Sequence, residues 1–385
     1  MPDVSIRTCP DYAPEHIRAA LTSALEPFGG LSWVKPGMKI ALKANLVSMM
    51  PPEAAATTHP ELLCVLTELL RERGAEVVLG DSPGGLYNHV YVNQVYRGTG
   101  MHQVETAGAK LNQDFSTAEG SFPEAAELRQ FSYTRYLDDC DAIINVCKLK
   151  THGMMGMSAA AKNLFGTIPG TVKPEYHYRF PTPERFADMI LDLNDYFRPR
   201  IHICDAIIGM EGNGPTQGTP RPIGAILAAE NPHRLDLLGA ALIDLDPRTV
   251  PTLAAAVKRG YCPERVEDLE IDGSYAALVI PDFRRIERSG TVAFGTSGPA
   301  PIRWIKDRFF RAALQSRPRP DRKTCIGCRK CANICPAKAI AMREKLPVID
   351  RSKCIGCFCC QEFCTNGAMK VHRPAIAGLI AMIQR

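Results

Sequence analysis

Two near-copies of one cysteine run constrain this chain more than any other feature. The first reads Cys325-Ile-Gly-Cys328-Arg-Lys-Cys331-Ala-Asn-Ile-Cys335-Pro336, and the second Cys354-Ile-Gly-Cys357-Phe-Cys359-Cys360-Gln-Glu-Phe-Cys364-Thr365. Both fit C-x2-C-x2-C-x3-C, the ligand run of paired 4Fe–4S clusters. Three thiolates on a tight loop cap three irons of one cube, and the fourth, carried into a helix, points at the other cube. The spacing predicts Cys325, Cys328, Cys331 and Cys364 around one cluster, and Cys354, Cys357, Cys360 and Cys335 around the second. Structural zinc is the competing use of thiolates, and two matching runs at this spacing argue against it. Gly327 and Gly356 let each loop bend and turn backbone N–H groups toward sulfur, which helps set reduction potential. Two details break the symmetry. Thr365 stands where the first run has Pro336, and is expected to bring a hydroxyl near a sulfur and make the two potentials unequal. Cys359 falls out of register beside Cys360 and reads as a spare thiol.

With 385 residues, 45% of them hydrophobic, the chain can build a sizeable core and a second domain besides the cysteine module. The formal net charge of +5 makes no case for a nucleic-acid binder. Basic residues concentrate from 282 to 323, among them Arg284, Arg285, Arg288, Arg303, Lys306, Arg308, Arg311, Arg317, Arg319, Arg322 and Lys323. Such a run is either a solvated linker face or a docking surface for an acidic redox partner or an anionic surface. The first residues contain no apolar signal-peptide core, and no stretch reaches the roughly 18 uninterrupted apolar residues of a membrane span. The chain is therefore expected in the cytoplasm, without a membrane span. Eight of its 15 cysteines lie in metal-ligand runs, which suits a reducing compartment. Cys9, Cys64, Cys140, Cys147, Cys204 and Cys262 read as buried structural thiols.

The first ~280 residues alternate short apolar runs with helical segments, the mark of an α/β fold with a parallel or mixed sheet and flanking helices. Strands are expected at 39–42, 76–79, 142–146, 201–203 and 225–228, and helices at 59–73, 182–197, 233–243 and 252–260. Glycines and prolines from 283 to 320 break this rhythm. The expected domains are thus an α/β domain over 1–283, a basic linker with one helix over 284–320, a small α+β cluster module over 321–372, and a tail over 373–385.

In open α/β sheets ligands bind beyond the carboxyl ends of the strands. Here the strands run into Lys43-Ala-Asn45, Gly80-Asp81-Ser82-Pro83-Gly84-Gly85, Cys147-Lys148-Leu-Lys150-Thr151-His152-Gly153, and Cys204-Asp205 followed by Glu211-Gly212-Asn213-Gly214-Pro215. If the sheet is parallel, these loops converge on one rim able to hold a carboxylate or phosphate on Lys43, Lys150 and the glycine-loop amides. The glycine loop is neither a Walker loop nor a dinucleotide fingerprint. The stretch KLKTHGMMGMSAAAKNLFGTIPG adds Lys162 and Asn163 at the end of a Met- and Ala-rich helix.

The phrases K-A-N-L-V, G-D-S-P-G-G, K-L-K-T-H-G, A-K-N-L-F-G-T-I-P-G and D-A-I-I-G-M-E-G-N-G-P resemble the family catalogued as domain of unknown function 362, over roughly residues 35–245. Members of that family often carry a C-terminal bacterial-type two-cluster ferredoxin domain. The resemblance implies no substrate; it maps recurrent positions onto Lys43, Asn45, Asp81, Lys150, His152, Lys162, Asn163, Glu211 and Asn213. The expected function is iron–sulfur electron transfer between a redox partner protein or small-molecule acceptor and a ligand in the rim cleft. His152 would donate a proton, Lys150 would clamp an anion, and Lys162 and Asn163 would orient it. Asp81 and Glu211 are acid/base or metal candidates, and Lys43, Asn45, Gly84 and Asn213 are further cofactor or ligand contacts. The alternative is a non-enzymatic electron-transfer or assembly protein whose large domain docks another redox protein. An additional cofactor is left open.

Overall fold

The computed structural model describes residues 1–285 and 317–372. The chain forms two compact units, Met1–Arg285 and Ile286–Arg385. The expected linker helix and the tail from residue 373 lie outside the described residues.

The first unit opens with β1 (Val4–Thr8), α1 (Pro14–Leu25), β2 (Lys39–Lys43), α2 (Pro60–Glu72), β3 (Glu76–Gly80), α3 (His89–Gly98), α4 (Gln103–Thr106) and β4 (Lys110–Leu111). A hairpin of β5 (Thr117–Ser121) and β6 (Gln130–Thr134) precedes β7 (Ala142–His152), β8 (Gly156–Ser158), α5 (Ala160–Asn163), α6 (Lys173–Arg179) and α7 (Pro183–Phe197). The long strands β9 (Ile201–Asn213) and β10 (Gln217–Ala229), then α8 (Pro232–Leu242), α9 (Pro251–Lys258) and β11 (Ile271–Asp272), complete it.

These strands make one nine-stranded mixed sheet in the order β11-β1-β10-β9-β7-β2-β3-β4, with β8 folded back on β7. Neighbours β9, β7, β2, β3 and β4 run parallel. β10 returns antiparallel to both β9 and β1. The expected strand at 225–228 is thus real but reversed, and its carboxyl end does not join the common rim.

Helix starts follow a simple chemistry. α1, α2, α7, α8 and α9 each begin with proline, whose fixed φ suits the first helical position and whose missing N–H costs nothing there. His59, Asn88, Thr182 and Asn231 cap the following helices by accepting backbone N–H bonds.

Strand residues alternate between two buried layers. Ile40 and Leu42 of β2, with Ile144 and Val146 of β7, pack among side chains of α1, α2 and α3. Ala41 and Val78 face the other way, onto Tyr136, Leu137 and Phe197. Helices on both faces leave the strand ends as the place where polar groups collect.

In the second unit β12 (Arg317–Pro320) pairs antiparallel with β15 (Met369–His372), and β13 (Ile340–Arg343) with β14 (Leu346–Ile349). Arg317–Pro320, expected in the linker, is therefore strand. Proline at alternate positions is compatible because only every second residue of an edge strand turns its N–H to the partner.

Candidate functional site

Three lysines are buried at the carboxyl end of β2 and in the carboxyl-terminal half of β7: Lys43 at 0% exposure, and Lys148 and Lys150 at 1%. The two-residue spacing of Lys148, Lys150 and His152 sends all three to one face of β7. Lys148 Nζ donates to Asp205 Oδ2 at 2.9 Å and to Tyr12 Oη at 2.7 Å. Tyr12 in turn donates to Asp205 Oδ1 at 2.9 Å and stacks on His59 with ring centroids 3.6 Å apart. Burial pushes the His59 imidazole down to about 4, so it is neutral at physiological pH.

Lys150 begins a one-directional relay. Its Nζ donates to Asn45 Oδ1 at 2.7 Å, and Asn45 Nδ2 donates to Asn163 Oδ1 at 2.9 Å. Asn163 Nδ2 donates to Asn145 Oδ1 at 2.7 Å, and Asn145 Nδ2 to His202 Nδ1 at 2.8 Å. Burial pushes His202 down to about 3, which keeps its imidazole neutral and able to accept. The sequence-predicted Lys150, Asn45 and Asn163 are thus brought together from strand β7, the loop after β2 and helix α5.

His152 accepts backbone N–H bonds from Met154 and Met155 on Nδ1, at 3.1 and 3.2 Å. A neutral ring that accepts at Nδ1 carries its proton on Nε2. Lys162 and Lys173 both approach the ring of Phe165, with Nζ 5.8 and 5.5 Å from its centroid. Asn213 bonds Gln217 across the β9–β10 turn, with Nδ2 to Oε1 at 3.4 Å.

Four expected ligand contacts are occupied by the protein itself. Lys43 Nζ and Asp81 Oδ1 form an ion pair at 2.7 Å, and Asp81 Oδ2 also accepts from Leu46 N. A Cβ on Gly166 would stand 2.0 Å from Asp81 Oδ1 and 2.4 Å from Lys43 Nζ, so the glycine of the K-N-L-F-G phrase seals this pair. Lys43 and Asp81 thus satisfy one another, because a buried charge needs its partner. Gly84 N donates to Val47 O, and Ser82 N to Gly166 O, so these glycine-loop amides satisfy buried carbonyls instead of forming an open nest. Glu211, expected as an acid/base or metal group, accepts from Arg284 Nε at 2.7 Å and Arg284 N at 3.0 Å.

Sequence reasoning passed over Tyr12, His59, Asn145, His202 and Lys173. Tyr12 follows a strand too short to signal itself, and Asn145 and His202 lie inside apolar strands. A polar residue interrupting such a strand was the available clue.

In the second unit the two cysteine runs fold alike. Gly327 and Arg329 have φ of +70° and +64°, and Gly356 and Phe358 have +70° and +60°. This repeated left-handed turn wraps each loop around a cavity. One cavity is lined by Cys325, Cys328, Cys331 and Cys364. The other is lined by Cys335, Cys354, Cys357 and Cys360, with Cys359 beside them. Each thus has four thiols, the donor set a 4Fe–4S cube takes, and the residues fit that group. Among the described residues no three or more His, Cys, Asp or Glu gather to hold a single metal ion. The fourth cysteines match as well: Cys335 Sγ accepts from Ala339 N, and Cys364 Sγ from Ala368 N, each at 3.2 Å. Thr365 Oγ1 lies 3.3 Å from Asn366 Oδ1, to which it donates, and 3.4 Å from Lys330 Nζ.

Among the described residues no helix is long and apolar enough to cross a membrane. A 4Fe-4S dicluster domain matches residues 317–365, so the second unit carries an iron–sulfur electron-transfer domain. A thylakoid-associated protein of Synechocystis is 32% identical over 271 residues, covering 69% of this chain and 81% of that one. Among solved structures, the lactate racemase apoprotein of Thermoanaerobacterium thermosaccharolyticum aligns at a TM-score of 0.41 and 10% identity, covering 61% of this chain and 55% of that one. A Thermotoga maritima protein aligns at 0.34 and 14%, covering 55% and 53%. The chain thus spans about half the length of either solved structure. The model of the domain of unknown function DUF362 matches residues 40–241, across the buried-lysine rim, and the chain belongs to that family.

Proposed function

We propose that the α/β unit binds a small carboxylate or phosphate at its strand-end rim and exchanges electrons with it through the iron–sulfur module. The observation that carries this reading is the buried lysine and asparagine network at the carboxyl ends of β2 and β7. Burying three ammonium groups costs several kcal/mol each before their partners compensate, and apolar side chains would fill the same space at lower cost. Two quartets of cysteine would hold two 4Fe–4S clusters: Cys325, Cys328, Cys331 and Cys364 around one, and Cys335, Cys354, Cys357 and Cys360 around the other. When bound, they supply reversible transfer of single electrons.

The side chains have separable roles. Lys150, held by Asn45 and Ala56 O at 2.7 and 2.5 Å, places positive charge at the rim. Asn163 and Asn145 fix the orientation of Asn45. Lys162 and Lys173 flank the entrance over Phe165, and Asn213 adds an amide from the β9–β10 turn. His152 Nε2–H donates the proton that accompanies an electron. All 15 cysteines are free of disulfides, in keeping with a reducing, cytoplasmic compartment.

The test is anaerobic re-oxidation of dithionite-reduced protein by pools of carboxylates and phosphates, followed by visible absorbance. One anion class is expected to re-oxidise the protein over repeated cycles, and Lys150→Gln and His152→Gln to abolish this with iron content unchanged. If no anion turns over while another redox protein co-purifies and re-oxidises the clusters, the α/β unit is a docking domain and the ligand reading fails.

A further inference from the structure

The two cysteine-lined cavities differ in their walls. The cavity of Cys335, Cys354, Cys357 and Cys360 is lined by Pro318, Ile340, Ile349, Ile355 and Phe358, and among the described residues that line it none is charged. The cavity of Cys325, Cys328, Cys331 and Cys364 has Ile326, Arg329 and Lys330 in its wall. Cys328 is exposed there, and Ile326 stands 65% exposed beside it. Arg329 and Lys330 are exposed, as are Arg322 and Lys323 just ahead of Cys325 in the chain. The positions of Arg329 and Lys330 are taken in the second run by Phe358 and Cys359, both buried. Over 317–372 the sequence has twelve Lys and Arg against four Asp and Glu, although the whole chain carries only +5. Positive charge is thus concentrated in the module, and its reactive edge is the more cationic of the two.

From this asymmetry we infer that the Cys328 edge is the docking surface for an acidic one-electron carrier protein. An exposed apolar side chain flanked by cations is the construction of a weak, fast encounter with an acidic partner: the cations steer the carrier, and a small contact lets it leave. Ile326 supplies the contact, while Arg322, Lys323, Arg329 and Lys330 supply the field. One electron crosses per encounter; the carrier is oxidised by one electron as the module is reduced by one, or the reverse, and no bond changes. The inference rests on the reading that the module holds clusters, which iron content and EPR test separately.

The experiment is stopped-flow reduction of the holoprotein by a reduced plant-type [2Fe–2S] ferredoxin as the acidic carrier, with methyl viologen radical cation as a control. For the wild type, the ferredoxin rate constant should fall about tenfold or more from low to moderate salt. In Lys323→Glu/Lys330→Glu, with iron content unchanged, it should fall about tenfold at low salt relative to the viologen rate, which reports any change in driving force. A parallel charge reversal on the other run, Arg351→Glu/Lys353→Glu, should have the smaller effect. A ferredoxin rate insensitive to both salt and Lys323→Glu/Lys330→Glu overturns the inference. So does equal loss in the two variants, which would mean general attraction without a docking edge. Salt-dependent binding to anionic lipid vesicles with a salt-independent ferredoxin rate also overturns it, because the cations would then serve a membrane surface.

Discussion

At the scale of single residues, the rim is built from groups whose burial only makes sense in pairs. Burial disfavours charge on Lys43, and the Asp81 carboxylate opposes that shift. Lys43→Met is expected to cost about 3–5 kcal/mol, because it leaves Asp81 buried and unpaired. Lys43→Met/Asp81→Asn should recover more than half of that loss. Chemical denaturation checks both, and a single variant as stable as the wild type would contradict the pairing. Asp236 offers a pH test. It accepts from Ala160 N and Ala161 N at 2.6 and 3.1 Å, and burial pushes its carboxyl from 3.8 up to about 7. The unfolded chain loses this proton first, so stability from this group falls as pH rises from 3.8 to about 7 and then levels off. Asp236→Asn is expected to flatten that slope in denaturant melts; an unchanged slope would place the carboxyl's ordinary titration in the folded state.

At the scale of elements, the sequence made the parallel strands legible because apolar runs end abruptly at Lys43, Gly80 and Lys148, and it made α2, α7, α8 and α9 legible as the helical segments between or after such runs. It did not reveal β1 or α1, whose short or weakly periodic stretches form because β10 and the core offer them a place. Convergence of the loops on a rim was readable; that Lys43 would turn inward to Asp81 was not, because pairing depends on contacts far apart in the chain. Gly166 is the hinge of that arrangement. Gly166→Ala should destabilise the α/β unit by about 1–3 kcal/mol or more, since backbone and a buried ion pair would have to give way. Iron content of the module should stay unchanged, and a fully stable alanine variant would contradict the packing.

The cysteine loops make a second prediction at this scale. A reduced cluster carries one more negative charge, which cationic and wetter surroundings favour. The Cys325–Cys328–Cys331–Cys364 site should therefore have the higher potential, owing to Arg329 and Lys330 in its wall and not to the hydroxyl of Thr365. Potentiometric EPR should resolve two midpoints, with the higher one lowered by Lys330→Glu and nearly unmoved by Thr365→Val. A single shared midpoint would contradict it.

For the whole molecule, the two units divide the work: a nine-stranded sheet that gathers buried cations at one rim, and a cationic module that gathers eight thiols around two cavities. The module was legible almost residue by residue, because metal ligation fixes cysteine spacing more tightly than any apolar pattern fixes a strand. The rim was legible as a set of residues and not as roles, since its chemistry depends on which groups neutralise one another.

The most direct measurement is iron and acid-labile sulfide per chain in protein purified and kept without oxygen, with the same count on Cys328→Ala. The expected result is brown protein with about eight irons and eight sulfides, two 4Fe–4S clusters' worth, falling to about half in the variant. Colourless protein, or zinc in place of iron, would contradict the electron-transfer account.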